Sequence, residues 1–445
     1  MKAGSSTAVD GLPAPPSRAA RFKPVALILA LAWLARLAFI LKMPDSARSF
    51  DVNAWSTVAD VLATGGNPYQ ATVFLNYPPF WLQLIFLIAK MSGMLSIEFF
   101  RCLQFVLIFF ESAAILLTLR LIRRMAPAAR AATLVVVGLA LNPIAILQVC
   151  QHCNFDVIVA FWLLLFLLSL LRYNRTKDFA DWLCATLFLG LGILTKTVPL
   201  ILVPLLAGGF RQATHRIRFL GITLLLGPVS VGLSIIYVLA PADVITKVIE
   251  YRSRSGYFGL SGLCHLAGLD GAAFVCNLAF YALLLAVLVF SAIFFWRRQS
   301  IGDRETVLWA ALLLAGIPAL GPGYAPQYIY WFMPLLVAAF AGFRGNFRLV
   351  LAAFGVIAAC TYVVEYALMG AYGMFLPKIL ALENPNLAIA LVPLITRIQK
   401  PAGETLASLP LFAAYLALLT SGVRVLFQSL KPAEAKASAR DPYRC

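Results

Sequence analysis

The sequence predicts an all-α, polytopic membrane protein with about 10–12 transmembrane or partial helices. Hydrophobic residues make up 62% of the 445 and charged residues only 12%, against about 25% charged in soluble chains. The apolar residues also fall in runs of helical length, and the charges sit mostly in the short connectors between them. The formal net charge of +17 would raise nucleic-acid binding on a soluble chain. Here the positive-inside rule and anionic headgroups account for it, so membrane lipids are expected partners and nucleic acid is not. The eight cysteines are scattered, several inside apolar runs, and do not read as a disulfide framework.

Residues 1–23, rich in Ala, Ser and Pro with Lys2, Arg18, Arg21 and Lys23, read as a disordered cytoplasmic tail. The run 25–41 reads as an uncleaved signal-anchor that sends the chain outside. Residues 24–428 form the membrane-embedded domain, 42–98 its first outer loop, and 429–445 a second cytoplasmic tail. If 79–94 and 99–121 both crossed, the cluster Arg120, Arg123, Arg124 and Arg130 would lie outside. The remedy is that 79–94 lies in the interface or re-enters, while 99–121 spans. Then 131–149 goes out and 157–171 comes in, to Arg172, Arg175 and Lys177.

The run 183–208 has basic residues on both flanks and is interrupted at Thr195-Lys196-Thr197-Val198-Pro199. It reads as two half-helices that enter and return on the cytoplasmic side, because Pro199 removes a backbone donor and an intramembrane lysine needs a partner. Lys196 is then expected near the cytoplasmic side, paired with Glu111. Beyond it, 219–240 goes out, 272–296 in, 306–321 out, 329–343 in, 348–367 out and 405–428 in. Within 370–403, the short piece 387–396 reads as a further partial helix. Both termini are cytoplasmic on this scheme, and most acidic residues lie outside.

The chemistry is expected in the outer loops. Ala54, Trp55, Val58, Ala59, Val61 and Leu62 recur near helical spacing, so Asp51–Ala63 reads as an amphipathic interface helix. Asp51, at its first turn, is either an N-cap or a functional carboxylate. Gly65-Gly66-Asn67-Pro68 ends that helix and Tyr77-Pro78-Pro79 starts the next. Asn67, Tyr69 and Tyr77 are expected to shape the pocket rather than react.

Together these features resemble the GT-C superfamily of polyprenyl-phosphate-sugar-dependent glycosyltransferases. The nearest likeness is to the bacterial polyprenol-phosphate-mannose mannosyltransferases of phosphatidylinositol mannoside synthesis. The resemblance is carried by Asp51, Gly65-Gly66-Asn67-Pro68-Tyr69, Asn76-Tyr77-Pro78-Pro79, Asn142-Pro143 with Gln151-His152 and Asp156, the Lys196-x-x-Pro199 break, and Gln327-Tyr328-x-x-Trp331-x-x-Pro334. A departure is the pair Cys150 and Cys153 around Gln151-His152. The resemblance implies a GT-C-like bundle in the inner membrane, a polyprenyl-phosphate-linked sugar donor, a lipid or glycan acceptor, and Asp51 as catalytic base.

One base and some cations suffice for such a transfer, because a departing phosphate monoester needs no proton. Asp51 would deprotonate an acceptor hydroxyl attacking the anomeric carbon, with inversion; Asp45 and Asp60 are its rivals. Lys247, Arg252 and Arg254 form an outer basic cluster suited to the phosphate, the arginines through their forked guanidinium groups. His152 and Asp156 are expected at the sugar or acceptor, with His215 and His265 unremarkable. Gln327, Tyr328 and Trp331 suit sugar recognition or an interface belt. No cofactor is expected. A divalent metal on Asp156 is the less favoured option, and zinc on Cys150, Cys153 and His152 lacks a second ligand pair. The competing class is a polytopic transporter or lipid flippase, which the intramembrane Arg36, Glu111 and Lys196 would also fit.

Overall fold

A computed structural model describes residues 18–43, 49–72, 75–126, 128–211, 243, 245–249, 258–298, 301–323, 325–364, 386 and 401–430. Among them every extended element is helical: α1 (Arg18–Lys42), α2 (Phe50–Ala63), α3 (Pro68–Ala71), α4 (Pro79–Leu95), α5 (Phe99–Arg123), α6 (Ala128–Val135), α7 (Pro143–Leu147), α8 (Asp156–Thr176) and α9 (Phe179–Thr195). A 3-10 helix (Val198–Arg211) follows, then α10 (Gly259–Leu266), α11 (Asp270–Arg297), α12 (Asp303–Leu320), α13 (Met333–Gly342), α14 (Asn346–Val363) and α15 (Pro401–Ser429). Six of these helices are long and apolar enough to cross a membrane, and the bent pair around Pro143 adds a seventh if it counts as one span. The chain is an all-α polytopic membrane protein. The expected span 219–240, the piece 387–396 and both tails' outer parts lie outside the described residues.

The bundle has two chemically distinct ends. At one, Arg172 pairs with Asp181 at 2.9 Å, Arg175 with Asp303, and Arg124, Arg298 and Arg304 donate to the carbonyls of Leu168, Leu430 and Met125. At the other lie Asp51, His152, Asp156 and Lys196. Helix α8 joins them: its 21 residues give about 31 Å of rise, close to the hydrocarbon thickness of a bilayer.

Helix α4 begins and ends at the Asp51 end. Its first turn packs Trp81 on Trp55 and Phe155, while α5, three residues beyond its cap at Ser96, starts where Arg101 and Gln104 reach Ile40 and Cys150. Leu87, Met91, Met94 and Leu95 are exposed along it, which suits a helix lying against lipid rather than crossing it.

The interrupted run after Asp178 corrects the expectation of half-helices. Asp178 caps α9 by accepting from Ala180 N at 3.1 Å, and α9 then runs antiparallel to α8 for the full distance between the ends. Pairs at both extremities fix this: Arg172–Asp181 at the start and Asp156–Lys196 at the finish. The chain turns at Lys196-Thr197 and returns as the 3-10 helix, whose Leu206 carbonyl accepts from Trp182 Nε1 at 3.4 Å. It therefore enters and returns at one end, as expected, but its apex reaches the other. On the return leg, a Cβ at Gly209 would stand 1.9 Å from Trp182 Nε1. Gly209→Ala is expected to lower stability by about 1–3 kcal/mol through overpacking, measurable as a reduced melting temperature in detergent.

The second correction concerns Glu111. It does not hold Lys196; it makes a two-pronged pair with Arg36, both contacts 2.6 Å, deep among α1, α5 and α7. The cause is the break at Pro143. Proline has no N–H to offer, so the Leu139 carbonyl accepts from Asn142 N at 3.2 Å instead, and Ile144 N is diverted to Asn142 Oδ1 at 2.9 Å, which frees the Ala140 carbonyl. In an apolar interior that carbonyl needs a donor. Arg36 Nη1 supplies it to Ala140 and Nη2 lies 3.4 Å from Leu139 O, and Glu111 neutralises the charge thus committed.

Candidate active site

The structure places Asp51 as the second residue of α2, not at its cap; Ser49 occupies the cap and its hydroxyl donates to the His152 carbonyl at 2.7 Å. That contact ties the start of α2 to the irregular turn after α7. The turn tightens through a π-helix over Gln148–His152 and ends with Cys153 in a left-handed conformation (φ 53°). As a result His152 Nε2 stands 2.7 Å from Asp51 Oδ2, with the side chains 0% and 9% exposed. Asn154 Nδ2 approaches the same oxygen at 3.5 Å. Both contacts fall on Oδ2. Asp60 is exposed on the far part of α2 and joins no part of this cluster; Asp45 lies outside the described residues.

Asn154 links this carboxylate to a second buried pair. Its Oδ1 accepts from Asp156 N at 3.1 Å, at the first turn of α8, and Asp156 Oδ1 meets Lys196 Nζ at 2.6 Å. Both charges gain from their helices, the carboxylate at the N-terminus of α8 and the ammonium just past the C-terminus of α9. Four rings surround Lys196: Trp331 at 4.9 Å, Tyr328 at 5.1 Å, Tyr77 at 5.4 Å and Phe155 at 5.5 Å. Tyr328 and Trp331 are stacked on each other at 4.2 Å, and Trp55, one turn beyond Asp51, packs on Tyr77 and Phe155. Lys196 is thus at the Asp51 end, not near the other as its neighbouring basic residues led us to expect.

The remaining expected residues fall around this centre. Gln327 is buried at the start of the 3-10 turn Pro326–Trp331 that carries Tyr328 and Trp331. Asn67 caps α3 through Tyr69 N and donates to Asp243 at 2.6 Å, while the Tyr69 hydroxyl donates to the Tyr77 carbonyl at 2.8 Å. Burial pushes the Tyr69 phenol well up from its ordinary range, keeping it a neutral donor. These two residues brace the loop that presents Tyr77. Asp243 also draws in the turn Ile245–Ile249, on which Lys247 is half-buried; Arg252 and Arg254 lie outside the described residues. Cys150 Sγ points to the Arg36 carbonyl, Cys153 Sγ to that of Val149, and His152 to Asp51. Three groups facing three ways do not make a zinc site. Sequence reasoning missed Lys196 as a site residue and the contact between His152 and Asp51; the 17 residues of the helix up to Thr195, about 26 Å of rise, are the signal for the first.

The family model for Glycosyltransferase family 87 matches residues 74–320, more than half of the chain. The chain belongs to glycosyltransferase family 87. No curated protein sequence matches it. The matched stretch of this family 87 chain contains Tyr77, His152, Asp156 and Lys196, and α2 with Asp51 precedes it. The protein is accordingly a membrane glycosyltransferase, which displaces the transporter and flippase alternative. A glycosyltransferase needs a sugar donor and an acceptor, and the cluster holds the Asp51 carboxylate and the Lys196 ammonium, linked through Asn154 and Asp156.

Proposed function

We propose that the protein moves a hexose, mannose in the first instance, from a polyprenyl phosphate carrier to a hydroxyl of a lipid or glycolipid acceptor. The reaction takes place at the extracytoplasmic face of the inner membrane by a single inverting displacement. The observation that carries this reading is the Asp51 carboxylate held by His152 at 2.7 Å, at the end of the bundle opposite the arginine-rich one. On the positive-inside rule the arginine-rich end is cytoplasmic, which puts Asp51 at the outer face and both termini inside.

Asp51 takes the proton of the acceptor hydroxyl as its oxygen attacks the anomeric carbon. The bond from that carbon to the phosphate oxygen breaks, and the electron pair leaves with the polyprenyl phosphate. His152 fixes the carboxylate by one hydrogen bond. Arg252, Arg254 and Lys247 are the outer-loop cations that would draw in the anionic donor, while Gln327, Tyr328, Trp331 and Tyr77 form the wall against which a sugar ring would lie.

A transfer assay with the purified protein in lipid vesicles tests the donor class. Polyprenyl-phosphate-mannose should label a lipid extract of the host membrane, and a nucleotide-linked mannose should not. Transfer from the nucleotide sugar alone would overturn the carrier assignment. Lipids that accumulate when the gene is deleted, read by mass spectrometry, would name the acceptor and the missing sugar together.

A further inference from the structure

We propose that Lys196 and Asp156 form the donor-headgroup subsite of the enzyme, Lys196 receiving the leaving phosphate and Asp156 a sugar hydroxyl. The inference rests on the polyprenyl-phosphate donor proposed above and assigns its phosphate to a residue that the outer-loop cluster does not include and that the sequence alone placed too deep to reach it.

The pair is buried, at 9% and 0% side-chain exposure, yet incompletely satisfied. Asp156 Oδ2 has no hydrogen-bond partner among the described residues, nor has Trp331 Nε1 or either polar atom of the Gln151 amide. Buried polar atoms in folded proteins are nearly always paired, and a buried ion pair offsets its desolvation only when its remaining donors and acceptors are filled. Lys196 has three N–H donors. One meets Asp156 Oδ1, and four aromatic faces lie around the ammonium. A pair kept only for stability would be better completed or replaced by apolar packing.

A ligand with anionic oxygens and hydroxyl groups side by side fills both vacancies. Its phosphate accepts from the ammonium, one of its hydroxyls donates to Asp156 Oδ2, and the stacked Tyr328 and Trp331 rings take its C–H face. A sugar phosphate has that composition. Asn154 sets the distance to the base, since it touches Asp51 with one atom and the Asp156 backbone with the other. During transfer the acceptor proton goes to Asp51, the new bond forms from the acceptor oxygen to the anomeric carbon, and the phosphate gains the electron pair. The added negative charge develops beside a desolvated ammonium, where it is stabilised most strongly.

Binding of undecaprenyl monophosphate, the carrier without sugar, to the full-length protein in nanodiscs tests the subsite. Lys196→Gln should weaken binding about tenfold or more, and Asp51→Asn should leave it unchanged. Asp156→Asn keeps the cation and removes its competing anion, so the monophosphate should bind as tightly as to wild type or tighter. Folded Lys196→Gln protein with wild-type affinity would overturn the subsite. So would a tenfold loss in Asp156→Asn, which remains decisive if Lys196→Gln does not fold. Wild-type protein that fails to bind the monophosphate would overturn the donor class, and the subsite with it.

Discussion

Asp51→Asn reduces sugar transfer by about 10³-fold or more, within the usual range for loss of a general base. The substitution is nearly isosteric. Asn keeps an oxygen for His152 Nε2 and leaves the packing of Val52, Trp55 and Val58 untouched, so the melting temperature and membrane insertion should match wild type. What disappears is the ability to accept a proton from the acceptor hydroxyl. Asp60→Asn, on the same helix but exposed, should keep full turnover, which separates a role for this one carboxylate from a general effect of charge in the first outer loop. Full turnover by Asp51→Asn would remove the base assigned here.

Glu111→Ala produces the largest loss of stability, about 3–5 kcal/mol, because it strands a guanidinium that is fully buried. Arg36 cannot withdraw to water, since it is fastened to the Ala140 carbonyl released by the Pro143 break. The effect should also reach the site. Tyr330 donates to Glu111 at 3.3 Å, and it lies between Tyr328 and Trp331, which stack over Lys196. Replacing both members, as Arg36→Leu with Glu111→Leu, removes the stranded charge and should recover part of the stability, though it leaves the Ala140 carbonyl unpaired. Thermal unfolding of the three variants in detergent measures this. A Glu111→Ala protein as stable as wild type would show that the pair does not hold the helices.

How far the sequence foretold this arrangement differs from residue to residue. Helix α2 was legible from the spacing of Trp55, Val58 and Leu62, and α4 as a non-crossing helix from the charge balance around Arg120 and Arg123. Both inferences draw on periodicity and sidedness, which short-range sequence records. The partners of the buried charges were not legible, because pairing depends on which helix ends meet. Glu111 and Lys196 looked compatible as the unmatched intramembrane charges. The choice between them and Asp156 was made by the length of α9 and by the Ala140 carbonyl orphaned at Pro143, a need for a donor that is invisible until the break is built. His152 was singled out as a residue of the outer surface, but its contact with Asp51 follows from the π-turn and the left-handed Cys153, which no periodicity marks. The family resemblance reached further than composition, since its motifs include Asp51, His152, Asp156 and Lys196, which the fold brings to one end of the bundle.

The central claim is a one-step displacement driven by a single base, and the anomeric configuration of the product tests it most directly. The sugar should be supplied as a polyprenyl phosphate of defined anomer, and the glycolipid formed by wild-type protein read by nuclear magnetic resonance. A linkage of opposite configuration to the donor is the expected result. Retention would require a covalent intermediate or a second carboxylate at the anomeric carbon, and would contradict the role given to Asp51.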